Sequence, residues 1–402
     1  MEFRNLTPFH AMAWDAVSRT DADFHVVALR VAYSLEPLTG QSDATLTHTC
    51  QLIEGAHTPE LCVADEYFGE AHASSVRAES DLAPFKPKCD VIVNATAYAP
   101  SGVAAKSWPV SVRVSAHRAA GLEPVINKEL VVFGPRWLER RADGWHLTEA
   151  LDTYAVPMRW ELAFGGTSLL KDDASEEPTL HEACYLNPLG RGWLEARHFE
   201  ALREPAPYRL PAPQIEAAST PITTLAVTSH PPGVPDARKM SEIAQDYPYR
   251  PAGLGFVGRA WTPRLQRAGT YDQAWVDERW PKLPRDFDPG YWNGAPDDQQ
   301  IDFPQEALIF EALSLTREGR IAFQIPRHRA LVLMRFVEGA VVALPMRIDT
   351  VIVDLDALRV DIVWRKIFPV EPEIRVAEAR FEINPDAPLI RYGPLEPALR
   401  DP

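Results

Sequence analysis

Cysteine is scarce in this chain. Its 402 residues contain four, Cys50, Cys62, Cys89 and Cys184, separated by 12, 27 and 95 positions. That spacing gives neither a C-x-x-C zinc pair nor a dense disulfide frame, so free buried thiols are expected. Long apolar runs are missing too: the strongest, Ala330 to Met334, is broken at once by Arg335, far short of the ~20 apolar residues a membrane span requires. The opening residues Met1-Glu2-Phe3-Arg4-Asn5-Leu6-Thr7-Pro8 lack a basic n-region followed by an apolar h-region. No secretory signal is expected, and the protein is placed in the cytoplasm. Basic charge is in deficit, with 41 Lys plus Arg against 56 Asp plus Glu and a net charge of -15. A protein that grips a phosphate backbone by counterion release has the opposite balance, so nucleic acid is excluded as a main partner. Heptads, low-complexity tracts, a repeat of fixed period and a G-x-S-x-G nucleophile elbow are also lacking; Gly165-Gly166-Thr167-Ser168 does not reproduce the elbow.

Proline, in contrast, is abundant. The 37 prolines make about 9% of the chain against a usual ~5%, which favours extended connections over long helices. The length exceeds the roughly 250–300 residues at which one core stops growing, so two domains or one domain with large insertions are expected. From Phe24 to about Gly166 the dominant period is two. Val110-Ser111-Val112-Arg113-Val114-Ser115-Ala116 alternates apolar and polar residues, and Val27, Leu29, Val31 and Tyr33 fall on one face of His25–Tyr33. Val91–Val93 and Leu130–Phe133 add short apolar runs. From about Asn187 to Asp302 this period fades while Pro, Gly and Trp become dense; strands return at Ile321–Ile325, Leu331–Met334, and in a hairpin of Val351–Leu355 with Leu358–Trp364. The expected fold is mainly β: antiparallel β-sandwich-like portions with a long ordered irregular segment and a few short helices. An N-terminal β-rich domain over 1–215, an aromatic, Pro- and Gly-rich bridge over 216–300 and a C-terminal β-rich portion over 301–402 are the expected divisions. Within the bridge, Thr270 with Gln273 has the form of a capping box for a helix over Tyr271–Trp280 that Pro281 stops.

No motif supplies convincing chemistry. Gly253-Leu254-Gly255-Phe256-Val257-Gly258 matches the dinucleotide string, but Tyr247-Pro248-Tyr249-Arg250-Pro251 stands where a strand should precede it and Pro263 interrupts the helix that should follow. A glycine-rich turn packed under aromatics is expected instead, and no cofactor. Asp286, Asp288, Asp297 and Asp298 around Asn293 offer oxygen ligands, but Gly290 sits where an EF-hand needs its third; turn capping is expected. His181 and Cys184 have helical i, i+3 spacing without a second pair to complete a zinc site. The remaining feature is the aromatic and basic density of Trp261, Arg264, Arg267, Tyr271, Trp275, Arg279, Trp280, Tyr291 and Trp292. Trp, Tyr and Arg are enriched at interface hot spots, so a partner surface is expected on Trp261, Arg264, Arg267, Tyr271, Trp275, Arg279 and Trp292. The competing reading puts the rings in a satellite core and pairs the arginines with Asp272, Asp277, Asp286 and Asp288.

An ordered string of short pieces carries a family resemblance. Its parts are Pro84-Phe85-Lys86-Pro87 with Asp90-Val91, Phe133-Gly134-Pro135-Arg136-Trp137, Pro157-Met158 through Ala163-Phe164-Gly165-Gly166, and Asn187-Pro188-Leu189-Gly190-Arg191-Gly192. Further parts are Leu210-Pro211, Ile215-Glu216, Gly253-Leu254-Gly255, Arg259–Arg264, Ala268–Asp272, Leu283–Asp288, Asn293–Gln299, Asp349-Thr350-Val351 and Val363-Trp364-Arg365. Over roughly Phe24–Arg365 the chain resembles the uncharacterised-domain family encoded in bacterial type VI secretion clusters beside PAAR spike tips, VgrG spikes and toxic effectors. The resemblance implies a non-enzymatic adaptor or chaperone that binds a PAAR-containing effector or spike tip and assists its loading onto VgrG. The alternative is a carbohydrate-active or hydrolytic β-sandwich enzyme with two acids ~5–9.5 Å apart.

Overall fold

The computed structural model describes residues 1–39, 45–118, 121–170, 180–195, 208–229, 249–389 and 391–392. Part of the expected bridge, residues 230–248, lies outside them. The described residues form a mainly β protein with short helices. Alternation in the sequence becomes alternation in burial along Ser107–Arg118: Trp108, Val110, Val112, Val114 and Ala116 are buried, and the residues between them are not. This strand is central in an antiparallel sheet ordered Ile215–Ala217, Gly121–Phe133, Ser107–Arg118, Leu308–Leu313, Arg320–Gln324. Another sheet is ordered Glu2–Asn5, Ile374–Glu382, Arg329–Phe336, Val341–Pro345, Arg391–Tyr392.

The strand Asp23–Pro37 differs, because every residue from Phe24 to Tyr33 is buried. A run buried on both faces belongs inside a covered sheet. That largest sheet is ordered His10–Val17, Asp23–Pro37, Arg359–Pro369, Arg347–Asp354, Cys89–Asn94, Gln300–Ile301, with His48–Leu52 also paired to Asp23–Pro37. The expected hairpin is present as Arg347–Asp354 and Arg359–Pro369. Arg347–Asp354 also runs parallel to Cys89–Asn94, so the sheet is mixed rather than purely antiparallel.

The expected division at 215 and 301 does not describe these sheets. Asp23–Pro37 pairs with Arg359–Pro369, Cys89–Asn94 with Arg347–Asp354, and Ser107–Arg118 with Leu308–Leu313. One hydrophobic cluster draws on all three large sheets, including Val31, Val112 and Val332. The early and late strands therefore complete each other's hydrogen-bond ladders.

The largest sheet has two unlike faces, because successive side chains alternate. Val27, Leu29, Val31, Val91, Val93, Val351, Val353, Ile362 and Trp364 enter the main cluster. The opposite face holds Arg30, Asp90, Thr350, Asp361 and Arg365, all buried. Arg30 pairs with Asp81 at 3.1 Å and Asp361 at 2.8 Å, and Arg365 pairs with Asp349 and donates Nη1 to the Asp81 carbonyl at 2.9 Å. Asp90, 0% exposed, is the most engaged. Its carboxylate accepts Lys86 Nζ at 2.8 Å, Asn293 Nδ2 at 2.9 Å, Gly294 N at 2.9 Å and Ala295 N at 3.2 Å. Lys86 also donates to Thr350 Oγ1 at 2.8 Å.

A second lock joins Phe164–Gly165 to Arg191–Gly192 as a short parallel pair. Buried Asn187 donates Nδ2 to the carbonyls of Trp160 at 2.8 Å and Phe164 at 3.0 Å. Gly165 has φ +139°, and a Cβ there would stand 2.0 Å from the Asn187 carbonyl oxygen, so only glycine fits.

Two tests follow from this architecture. Residues 1–215 and 301–402 expressed separately should each fail to give a cooperative thermal transition, because their principal strands lose partners. Asp90→Ala should cost about 3–5 kcal/mol in urea unfolding, as expected when one partner of a buried ion pair is removed and the other stays buried.

Candidate partner-binding surface

The seven residues expected to bind a partner divide sharply by burial. Arg264 is 2% exposed; its Nη1 donates to Glu79 and to the Val257 carbonyl at 2.8 Å, while Nε and Nη2 donate to the Tyr291 carbonyl at 3.1 and 2.8 Å. Arg279, 8% exposed, donates Nη1 to both carboxylate oxygens of Asp21 at 3.0 and 2.8 Å and Nη2 to the Leu283 carbonyl at 2.9 Å. Trp261 is buried and meets Trp160 edge-on, with ring centres 5.4 Å apart. These three are corrected from partner anchors to internal staples: the two guanidinium groups are spent on the buried Glu79, the exposed Asp21 and backbone carbonyls, and the Trp261 ring is spent on Trp160. The acids differ from those expected, because Glu79 and Asp21 lie far away in sequence.

Arg267 and Trp292 are half-buried. Arg267 bonds Asp297 at 3.1 Å, and the Trp292 ring packs against Phe287 and Tyr291 at 5.8 and 5.4 Å. Both serve mainly to hold the segment. The remaining two, Tyr271 and Trp275, do reach the surface. Tyr271 is 54% exposed and contacts half-buried Trp275 at 4.8 Å, and Trp275 Nε1 donates to the Lys282 carbonyl at 2.9 Å, which fixes the ring. Val276 is exposed beside them, and Trp280, outside the seven, is 68% exposed. Leu265, on the preceding helix Thr262–Leu265, is exposed as well. Large exposed apolar side chains close together are a feature of interaction sites.

Local chemistry holds this surface in place. The helix spans Gln273–Glu278, and its cap is Asp272, whose Oδ1 accepts Trp275 N at 2.9 Å. The capping box expected from Thr270 is not used: Thr270 donates N and Oγ1 to Asp286 at 3.0 and 2.7 Å. Asp288 caps the next turn by accepting Gly290 N at 2.8 Å, while Asp297 and Asp298 pair with Arg267 and Lys128. The acidic cluster is thus spent on turn caps and ion pairs. Gly253 and Gly258 lie under Trp160 and Trp261, where a Cβ would come within 2.9 and 2.4 Å of the indoles. That close packing accounts for Gly253 and Gly258, whereas a Cβ at Gly255 would meet nothing nearer than 3.8 Å.

His181 and Cys184 are not on a helix, since Leu180–Ala183 is a strand paired with Thr167–Leu170. Among the described residues no three His, Cys, Asp or Glu side chains gather as a metal site. A cleft of about 740 Å³ beside Trp160 contains Lys128 bonded to Asp298 at 2.7 Å; burial pulls this ammonium below its usual value although Asp298 opposes the shift. Histidine side-chain bonds among the described residues include those to Asp15, Tyr33, Thr47, Leu61, Tyr67 and Asp143. Among them, too, no helix is long and apolar enough to cross a membrane.

The four cysteines are free. Burial pushes the Cys50 thiol up to about 12 and the Cys184 thiol up to about 11, Cys62 is raised to about 11 by burial and then by Asp81, and burial lifts Cys89 well above its usual value.

Fold and surface together define a mainly β scaffold that clamps an irregular, aromatic-bearing segment onto its largest sheet. The chain belongs to the family described as "Uncharacterized protein conserved in bacteria (DUF2169)", whose model matches residues 22–365. That description names no activity or partner. No curated protein and no solved structure matches the chain.

Burial separates the variants clearly. Arg264→Ala should destabilise by about 3 kcal/mol in urea unfolding, because Glu79 remains buried with only Arg259, at 3.7 Å, to balance it. Tyr271→Ala and Trp280→Ala should stay within about 0.5 kcal/mol of the parent. The thiols provide a second check. At pH 8 the native protein should react with Ellman's reagent about a hundredfold more slowly than free cysteine, because each raised pKa leaves little thiolate, and denaturant should release all four.

Proposed function

We propose that the chain is a cytoplasmic adaptor or chaperone of type VI secretion, which binds a PAAR-containing effector or spike tip and assists its loading onto VgrG. The observation that carries this reading is the exposed group Tyr271, Val276 and Trp280, beside the half-buried Trp275, on and flanking a short helix held by Asp272 and by the Arg279–Asp21 ion pair. A rigid aromatic surface covers apolar cargo at small entropic cost, since the rings are already ordered before contact. Its limited extent leaves the grip reversible, which handover to a spike requires. The ordered resemblance from Phe24 to Arg365 supplies the cellular context. The ion pairs and caps that hold the segment supply the reason for its fixed shape.

The test is affinity capture of the tagged full-length chain from its native host under gentle conditions, followed by identification of bound polypeptides. The parent should recover a PAAR-bearing effector, a spike tip or VgrG, and the folded double variant Tyr271→Ala/Trp280→Ala should recover at least tenfold less, as loss of a hot spot worth about 2 kcal/mol implies. Recovery of none of these polypeptides overturns the proposal. Equal recovery by the double variant moves the contact off this helix.

A further inference from the structure

We infer that the chain pairs with a second copy of itself through the strand His10–Val17, laid antiparallel against the same strand of that copy, so that the two largest sheets become one. His10–Val17 is an edge strand of its sheet, hydrogen-bonded on one side only, to Asp23–Pro37. None of its eight residues is buried, whereas its neighbour is buried from Phe24 to Tyr33. The turn fixes which groups face outward: Ser18 N donates to the Ala22 carbonyl at 2.9 Å, and hydrogen-bonded pairs alternate from there. His10, Met12, Trp14 and Ala16 therefore bond Arg30, Ala28, Val26 and Phe24. Ala11, Ala13, Asp15 and Val17 direct N–H and C=O away from the sheet, where no backbone partner meets them among the described residues.

An open edge is a template for further strand pairing, and proteins blunt it with short strands, Lys, Pro, bulges or covering loops. The other edges of the three large sheets are blunted. Glu2–Asn5, Ile215–Ala217, Gln300–Ile301 and Arg391–Tyr392 span two to four residues. Arg320–Gln324 is met by Thr47, whose N donates to the Ala322 carbonyl at 2.8 Å and whose Oγ1 accepts Ala322 N at 2.8 Å. His10–Val17 has none of these devices: it is the longest edge strand, pairs without a register shift, and contains neither Lys nor Pro.

The strand is complementary to itself. Antiparallel pairing centred on Trp14 puts Ala13 opposite Asp15 of the second copy and Ala11 opposite its Val17, so every outward N–H and C=O finds a partner. Trp14 then meets its own copy at a position without direct backbone bonds, where side chains approach most closely and aromatic pairs contribute. Met12 faces Ala16 of the second copy. The strand's one acid faces alanine rather than another acid, and each Asp15 carboxylate is already held by His25 Nδ1 at 2.5 Å. An isologous contact of this kind closes at two copies and consumes the edge that made it. The whole-chain charge of -15 opposes the approach, so the pair strengthens as salt screens that repulsion. The contact shares no residue with the aromatic surface around Gln273–Glu278, and the inference does not rest on the secretion reading.

Light scattering on the full chain over a range of concentrations tests it. Monomer should pass to dimer as concentration rises, and the dimer should gain as salt goes from about 50 to 200 mM. Ala13→Pro removes an outward N–H and none that Asp23–Pro37 uses, and Ala16→Lys puts a charge on the edge; each should weaken dimerisation roughly tenfold or more. Cysteine placement reads the register. Trp14→Cys should give a disulfide-linked dimer on mild oxidation, because directly opposed positions of this type lie within disulfide reach. Met12→Cys and Ala16→Cys should cross-link when mixed and not when alone. The parent controls for the native thiols, and thermal melts verify each fold. A parent that stays monomeric at every concentration, a dimer untouched by the folded Ala13→Pro and Ala16→Lys variants, or Trp14→Cys that cross-links no more than the parent would each overturn the inference. If Ala13→Pro fails to fold, Ala16→Lys decides; if Trp14→Cys fails to fold, the mixed Met12→Cys and Ala16→Cys variants decide.

Discussion

The rest of the structure depends on one buried carboxylate, that of Asp90, on the strand Cys89–Asn94 of the largest sheet. An ionised acid removed from water is tolerable only when it is paired and hydrogen-bonded. Lys86 supplies the charge from four residues away, and Asn293, Gly294 and Ala295 supply three further donors from the bridge. The irregular segment therefore has a reason to lie on the sheet that hydrophobicity alone does not provide. Gln299 repeats the device by donating Nε2 to the carbonyls of Val91 and Leu254 at 2.8 and 2.9 Å.

The other buried charges on that side extend the same logic. Arg30 ties the 81 region to Asp361, Arg365 ties it to Asp349, and Arg264 joins the bridge to Glu79. Each replaces a loop's lost hydration with a fixed partner, so a proline-rich chain with little helix still adopts one arrangement. Such pairs add less net stability than equally well-packed apolar groups would, and they penalise every arrangement that leaves one member unpaired. Their contribution here is to the register between sheet and covering loops.

A scaffold fixed in this way can offer a chemically distinct surface without moving. Tyr271 and Trp280, on either side of the helix Gln273–Glu278, present rings to solvent. Arginines that pair inside the fold leave their aromatic neighbours to face outward.

The mainly β class was legible from the chain because alternation is a local property: Val110, Val112, Val114 and Ala116 face the core for the same reason they recur every second position. The hairpin at 351–364 and the glycine turn under aromatics were legible on similar grounds. The role of the arginines was not. Composition marked Arg264, Arg279 and Trp280 alike, and nothing nearby in sequence distinguishes the buried staple from the exposed ring. Arg264 finds Glu79 across 185 positions, and Asn293 finds Asp90 across 203. The parallel pairing of Cys89–Asn94 with Arg347–Asp354 also joins residues that are distant along the chain. The sequence by itself determined which segments alternate and which are too rich in proline and glycine to do so. Only the tertiary structure decided which charges are enclosed and which meet solvent, because a side chain's partner is set by proximity in space, and side-chain periodicity carries no information about it.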